Sequence, residues 1–512
     1  MLIIGDLLLH NARLIPEREA LVFGEQRLTW GELNSSVNRL ANGLLADGIE
    51  PGDRVAFIMG NNIDIVRLYY AIAKIGCVSV PIMARSVARE IAHIVNDVAA
   101  TAIFATADQA AAVREALPQL ATVRRAYGIG TDHQLPLDIN DVMKASEWEP
   151  GITVDPDQLY AIQFTSGTTG APKGCMLHHR NKALSRLSML SQVAYEESDR
   201  ALLFMPLTAS LGADMLHTHV LRGMTTVLVS RFDEVEMLGL LGAERISVIY
   251  ALQSTFDRLI AHDKLVEADW SHLRYFFGDS ATRDSRPGIS RLRQMPHFNA
   301  KFWNAYGCTE GGGWLTFLSP EDIDAGMSGE REEVFRSIGR ECMLAKVDCV
   351  DADGNALPAG EVGEMTLSAP WLFSGYWGLP DRTAEALRDG RYFTGDLARK
   401  DARGFVYLEG RMKDMIKTGG INVYPAEVEL VLKAHPKVKE VAVVGVADPN
   451  WGERVVACVI AAEPCDAAEL IDYCKEQLAG YKVPKAIAFM PDFPRDIVGK
   501  ILKRALRDQL AA

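Results

Sequence analysis

The chain lacks several features that would assign it quickly. Its 512 residues contain no C-x-x-C pair, no zinc-like Cys/His spacing, no internal repeat, no low-complexity linker and no apolar stretch long enough to cross a bilayer. The eight cysteines (Cys77, Cys175, Cys308, Cys342, Cys349, Cys458, Cys465 and Cys474) therefore read as reduced thiols of a cytoplasmic protein, most of them buried as small apolar side chains. The short run Leu2 to Leu9 is broken by Asp6 and has no basic leader or clear cleavage site, so it does not read as a signal peptide. Positive charge is scarce: a net charge of −13 argues against nucleic acid as a partner. The shortage does not extend to residues 411–512, which hold 15 basic and 14 acidic residues. Lys482, Lys485, Arg495, Lys500, Lys503, Arg504 and Arg507 form a locally basic tail suited to an anionic small molecule, with Lys503, Arg504 and Arg507 expected on the solvated face of a last helix.

The length exceeds what one hydrophobic core usually holds, so at least two domains are expected. Strand-like runs at Arg54–Met59, Val78–Ile82, Thr101–Ala105, Ala201–Met205, Thr225–Val229 and Ser247–Ala251 alternate with helical patterns such as Ile65–Lys74 and Glu90–Val95. This predicts an α/β fold, largely parallel sheets covered by helices. After residue 410 the pattern changes to two strands, Glu440–Val446 and Arg454–Ile460, joined by the turn Asp448–Gly452, then a helix over Asp466–Leu478 and another after Gly499. That is a small α+β unit. Gly410-Arg411-Met412-Lys413-Asp414 marks the boundary between residues 1–410 and 411–512.

The most informative segment is Phe164-Thr165-Ser166-Gly167-Thr168-Thr169-Gly170-Ala171-Pro172-Lys173-Gly174. Three glycines, four hydroxyl residues and a lysine follow an apolar run. Glycines let backbone N–H groups approach a polyphosphate, while hydroxyls and the amine add donors and positive charge. Gly174 stands where a Walker A loop needs Ser or Thr, so this is a phosphate loop of a different kind.

Four later segments fit the same chemistry. Asn304-Ala305-Tyr306-Gly307-Cys308-Thr309-Glu310-Gly311 offers a ring to stack on a purine, a hydroxyl for a phosphate oxygen and a carboxylate for Mg²⁺. Asp396, ending Tyr392-Phe393-Thr394-Gly395-Asp396, suits ribose hydroxyls. The basic, glycine-punctuated stretch from Gly410 to Pro425 carries Arg411, Lys413, Gly419 and Gly420. Lys500 follows Gly499 at a helix entry, where a long amine reaches outward.

In this order the segments resemble the adenylate-forming superfamily of acyl-CoA synthetases, adenylation domains and beetle luciferases, over nearly the whole chain. The resemblance implies a large N-terminal domain of stacked, helix-covered sheets and a small mobile α+β C-terminal domain, hinged near Lys413. It implies a two-step reaction: a carboxylate attacks the α-phosphate of Mg·ATP to give an acyl-adenylate and pyrophosphate, then a thiol, here expected to be coenzyme A, displaces AMP. By motif, Thr165, Ser166, Gly167, Thr168, Thr169, Gly170 and Lys173 hold the β- and γ-phosphates. Tyr306 stacks on adenine beside Asn304 and Gly307, and Gly278, Asp279, Ser280 and Ala281 line its other side. Thr309 contacts the α-phosphate, Glu310 coordinates Mg²⁺, Asp396 and Arg411 hold the ribose, Lys500 lies between the carboxylate and the α-phosphate, and Gly419 and Gly420 border the pantetheine arm. The expected function is an AMP-forming carboxylate–CoA ligase acting on a small-molecule carboxylic acid. Transfer to a carrier-protein phosphopantetheine and a catalytically silent nucleotide sensor remain alternatives. A homodimer is compatible with the sequence.

The same resemblance puts the acyl pocket near Leu207–Leu216, Leu252–Phe256, Gly278–Arg283 and Gly311–Thr316. Pro206-Leu207-Thr208-Ala209-Ser210 replaces the aromatic–histidine pair frequent in acyl-CoA synthetases, and Thr208 stands where amino-acid-activating relatives carry an aspartate. His217, His219 and Trp314 are candidates for pocket walls, with core or surface roles favoured for the two histidines and a core role the alternative for Trp314.

Overall fold

The computed structural model describes residues 2–165, 172–279, 285–419, 421–495 and 501–511. They pack as two compact units, Met1–Lys346 with Leu367–Tyr392, and Val347–Thr366 with Phe393–Ala512.

The first unit contains two large sheets. In one, the strands Glu19–Phe23, Thr225–Leu228, Arg200–Leu203, Val248–Leu252, Tyr275–Asp279 and Lys301–Cys308 run parallel, with antiparallel edges on either side. In the other, Leu137–Asp138, Arg125–Ile129, Ala102–Thr106, Arg54–Ile58, Val78–Ile82 and Leu159–Thr165 are parallel, and Lys173–His178 closes one edge antiparallel. The periodicity argument holds here because helices cover these strands, so the strands are largely apolar: Val78–Ile82 is buried at every position, Ser79 included. Local signals set the helix starts. Thr29 and Glu32 form a reciprocal capping box on Trp30–Ala46, and the Asn62 side chain accepts from Ile65 N at 2.9 Å to open Ile63–Lys74.

In the second unit, Val347–Thr366 and Phe393–Arg411 contribute a small sheet, and a second sheet is dominated by the long hairpin Val438–Asp448/Gly452–Ala461. Asp466 caps the helix Ala467–Gln477, and Lys503–Ala511 forms the last helix. Four of the seven cations of the basic tail form tertiary ion pairs. Lys482 meets Glu427 at 2.5 Å, Arg495 meets Glu440 at 2.5 Å, Lys503 meets Glu429 at 2.6 Å and Arg507 meets Asp414 at 2.6 Å. The acids that neutralise these cations stand far away in sequence, so a local charge count does not reveal them.

No disulfide forms. Six cysteines are buried, and Cys308 and Cys465 are half-buried. Burial pushes the Cys77 thiol up to about 12, so it is an inert apolar side chain. Among the described residues no helix is long and apolar enough to cross a membrane.

Candidate active site

The phosphate-loop segment connects two antiparallel strands, Leu159–Thr165 and Lys173–His178, with Thr165 opposite Lys173. Ser166, Gly167, Thr168, Thr169 and Gly170 lie outside the described residues. At the loop's base the Thr165 hydroxyl is 3.4 Å from the Lys173 carbonyl. Gly174 is required by packing: a Cβ there would fall 2.6 Å from Ile162 Cγ2. The segment 374–377 pairs with the outer edge of this hairpin through Met176 N to Gly375 O, Ser374 N to Met176 O and Trp377 N to Gly174 O. That pairing brings Tyr376 under Lys173, whose ammonium sits 4.4 Å from the ring centroid.

Tyr376 also reaches the second motif. Its hydroxyl donates to Glu310 Oε1 at 3.0 Å, and Phe373 N donates to the Glu310 carbonyl at 3.0 Å. Tyr392 packs on Phe373 beside them, at 5.4 Å between ring centroids. Burial, then the neighbouring Glu310 carboxylate, raises the Tyr376 and Tyr392 phenols far above the ordinary range, so both remain protonated donors. Thus Lys173, Tyr376 and Glu310 form one cluster from three sequence regions. The half-buried Glu310 carboxylate suits Mg²⁺, which is commonly held by one or two carboxylates plus substrate phosphates. No group of three or more His, Cys, Asp or Glu side chains among the described residues could hold a metal by itself.

Asn304, Tyr306 and Gly307 lie on Lys301–Cys308, which runs parallel to Tyr275–Asp279 and aligns Asn304 with Gly278. Asn304 is buried, Tyr306 and Thr309 are half-buried, and Gly307 is exposed. A Cβ on Gly307 would strike the Gly313 carbonyl at 2.3 Å, so this close turn admits only glycine. The Asp279 side chain, Ser280 and Ala281 lie outside the described residues.

In the second unit Asp396 and Arg411 face each other across a β-ladder and pair at 2.5 Å. Gly395 adopts φ +70, turning the chain so that its N–H reaches Glu364 at 3.1 Å while Asp396 N–H reaches the Thr394 hydroxyl at 3.0 Å. Lys413 lies in the short 3₁₀ turn Met412–Asp414. Gly419 has φ +58, donates to the Trp451 carbonyl at 2.8 Å and leaves room for the indole, which a Cβ would meet at 3.1 Å. Gly420 and Lys500 lie outside the described residues.

Sequence reasoning missed Tyr376; its only local sign is an aromatic pair after Gly375. It also missed a buried ionic cluster. Lys182 forms a close ion pair with Asp214, and Arg186 lies 3.5 Å from the same carboxylate, all three side chains at most 4 % exposed. His217 is a core residue: Tyr70 OH lies 3.0 Å from Nδ1 and Tyr160 OH 2.6 Å from Nε2. Burial holds His217 well below its ordinary pKa and His219 at about 3, so both rings are neutral. Thr208 is 1 % exposed, with its hydroxyl 3.6 Å from Met83 Sδ. Asp214, the one carboxylate of the segment 206–216, is already committed to Lys182.

Two helix-covered, largely parallel sheets, an aromatic–carboxylate cluster beside the strand Lys173–His178 and a small C-terminal α+β region are the features of an adenylate-forming enzyme. The AMP-binding enzyme family matches residues 8–377, and the AMP-binding enzyme C-terminal domain matches residues 427–500. The chain belongs to this family, and most of its curated relatives are acyl-CoA ligases, with a fatty acid–acyl-carrier-protein ligase of Streptomyces coeruleorubidus among them. It is 35 % identical over 508 residues to a feruloyl-CoA synthase of an Amycolatopsis species, covering 98 % of both chains. It is 32 % identical over 518 residues to the long-chain-fatty-acid–CoA ligase FadD13 of Mycobacterium tuberculosis, covering 99 % of both. The fold superposes on the o-succinylbenzoate coenzyme A synthetase of Bacillus subtilis in complex with ATP and magnesium ion, with a TM-score of 0.85 at 28 % identity, covering 98 % of this chain and 99 % of that one.

Proposed function

We propose that this chain is an AMP-forming ligase that joins a carboxylic acid without a free α-amino group to coenzyme A in the cytoplasm. The reaction uses ATP, Mg²⁺ and coenzyme A and proceeds through an acyl-adenylate. The observation carrying the substrate reading is the amino-clamp position. Thr208 is neutral and lies against Met83, and the nearest carboxylate in sequence, Asp214, already faces cations.

In the first step two anions must meet. Lys173 and the loop from Thr165 to Gly170 hold the phosphates that leave as pyrophosphate, and Tyr376 steadies the Lys173 ammonium through its ring. Tyr306 stacks on the base between Asn304 and Gly278, Thr309 contacts the α-phosphate, and Asp396 with Arg411 takes the ribose. Mg²⁺ bound through Glu310 supplies charge neutralisation on the phosphates. Lys500 stands between the attacking carboxylate and the α-phosphate. In the second step Gly419 and Gly420 leave space for the pantetheine arm, whose thiol displaces AMP.

Thr208→Asp is expected to lower kcat/KM for such acids by at least about tenfold, because a buried carboxylate without a free cation costs several kcal/mol. Steady-state AMP release measures this, and competition between matched acids with and without the α-amino group tests the class. A preference for the amino acid overturns it and favours the carrier-protein reading.

The proposed hinge at Lys413 yields another expected result. Proline there fixes φ and restricts Met412, trapping one arrangement. Lys413→Pro should retain one half-reaction, adenylation or thioester formation, and lose the other. Unchanged overall turnover would place the pivot elsewhere.

A further inference from the structure

We propose that Tyr376 is a positioning residue that holds Lys173 and Glu310 apart, keeping the ammonium for phosphate and the carboxylate for Mg²⁺ instead of letting the two neutralise each other. This rests on the nucleotide roles given to Lys173 and Glu310 above and deepens them.

The two charges are opposite, and both lean on the same side chain. The Lys173 ammonium sits over the ring face, 4.4 Å from the centroid, where the π-cloud is negative. The Glu310 carboxylate takes the hydroxyl at the ring's edge, through Oε1 at 3.0 Å. Among the described residues no ion pair joins Lys173 to a carboxylate, and the Tyr376 hydroxyl is the one hydrogen-bond donor that reaches the Glu310 side chain. Lys173 and Glu310 are half-buried, so water screens their attraction less than it would in bulk. A direct pair between them would remove a phosphate contact and a metal ligand together. The ring stands in the way of that pair, and its hydroxyl occupies one carboxylate oxygen while leaving Oε2 for the metal.

The ring can act as a wedge because backbone and side chain are both held. Tyr376 is 4 % exposed. Its N–H donates to the Thr383 hydroxyl at 2.9 Å, its backbone bridges to Cys175, and its ring meets Phe373 edge-on at 5.0 Å. Gly375 permits this approach: its φ is +134, and a Cβ there would fall 2.5 Å from Thr383 Cγ2. Phe373 is itself tied through its N–H to the Glu310 carbonyl, so wedge and carboxylate share one frame.

The test is calorimetric ATP binding to the full chain, with MgCl₂ titrated or with EDTA in place of the metal. Tyr376→Phe keeps the ring but no longer orients Glu310. Its metal-free ATP affinity should stay within about twofold, while the MgCl₂ needed for half-maximal ATP binding rises about tenfold, as for a lost hydrogen bond to a charged group. Tyr376→Leu removes the wedge, and metal-free ATP affinity should fall about tenfold as Lys173 closes on Glu310. Adding Glu310→Gln to Tyr376→Leu should recover that loss. The gain should be at least about fivefold larger than in the wild-type background, where the same change only relieves repulsion of the triphosphate. A gain of equal size in both backgrounds, or an unchanged MgCl₂ requirement in Tyr376→Phe, overturns the proposal. If Tyr376→Leu does not fold or metal-free binding is too weak to read, the Tyr376→Phe titration decides alone. A wild-type chain that binds no ATP under either condition overturns the nucleotide reading beneath instead.

Discussion

Lys500→Ala is expected to slow acyl-adenylate formation by about 100- to 1,000-fold while leaving ATP affinity within a few-fold, as estimated for a lost transition-state electrostatic contact. On the proposed mechanism the ammonium acts where carboxylate and α-phosphate approach each other, so its contribution is largest in the transition state. Most contacts proposed for ATP come from other residues: the loop from Thr165 to Lys173, Tyr306, Thr309, Glu310, Asp396 and Arg411. Thioester formation from supplied acyl-adenylate should lose much less, because the second step has no pair of anions to screen at that point. Rapid-quench measurement of each half-reaction makes the comparison. Equal loss in both contradicts the division of labour between Lys500 and the thiol-transfer step.

Glu310→Gln should have the next largest effect, about 100-fold on adenylation, with the remaining activity shifted to higher MgCl₂. The geometry makes this substitution informative. Tyr376 OH donates to Glu310 Oε1 at 3.0 Å, and a glutamine oxygen still accepts that bond. The Phe373 N–H to Glu310 carbonyl contact involves backbone only and also survives. What is lost is the charge. ATP–pyrophosphate exchange against MgCl₂ concentration reports it, and an unchanged metal requirement would remove Glu310 from the metal's ligands.

Much of this was legible in the sequence because it rests on local order. Buried parallel strands announce themselves as short apolar runs, as Val78–Ile82 does at both ends. The hairpin around Asp448–Gly452 and the helix capped by Asp466 carry their turn and cap residues within a few positions. The glycine-rich loop is likewise contiguous, and the spacing of its neighbours in the chain points to nucleotide chemistry.

The features that sequence reasoning missed depend on residues brought together from afar. Tyr376 becomes a site candidate only because the segment 374–377 pairs with Lys173–His178, which sets its ring under Lys173 and its hydroxyl against Glu310. Lys182 and Arg186 look like ordinary helix cations until Asp214, on another helix, is seen facing them in the interior. Read locally, the tail is a run of cations; Glu427, Glu429, Glu440 and Asp414 pair with Lys482, Lys503, Arg495 and Arg507 through the fold. Hydrophobic periodicity records which face is buried, but not which charge waits there.

The most direct test of the central claim is simultaneous quantification of AMP, ADP and acyl-CoA after incubating the full chain with ATP, MgCl₂, coenzyme A and a panel of aliphatic and aryl carboxylic acids. The account predicts acid-dependent AMP and acyl-CoA in equal amounts, with no ADP and no acyl-CoA when either the acid or coenzyme A is omitted. ADP as the nucleotide product, or AMP release that is indifferent to coenzyme A with no thioester formed, would contradict it.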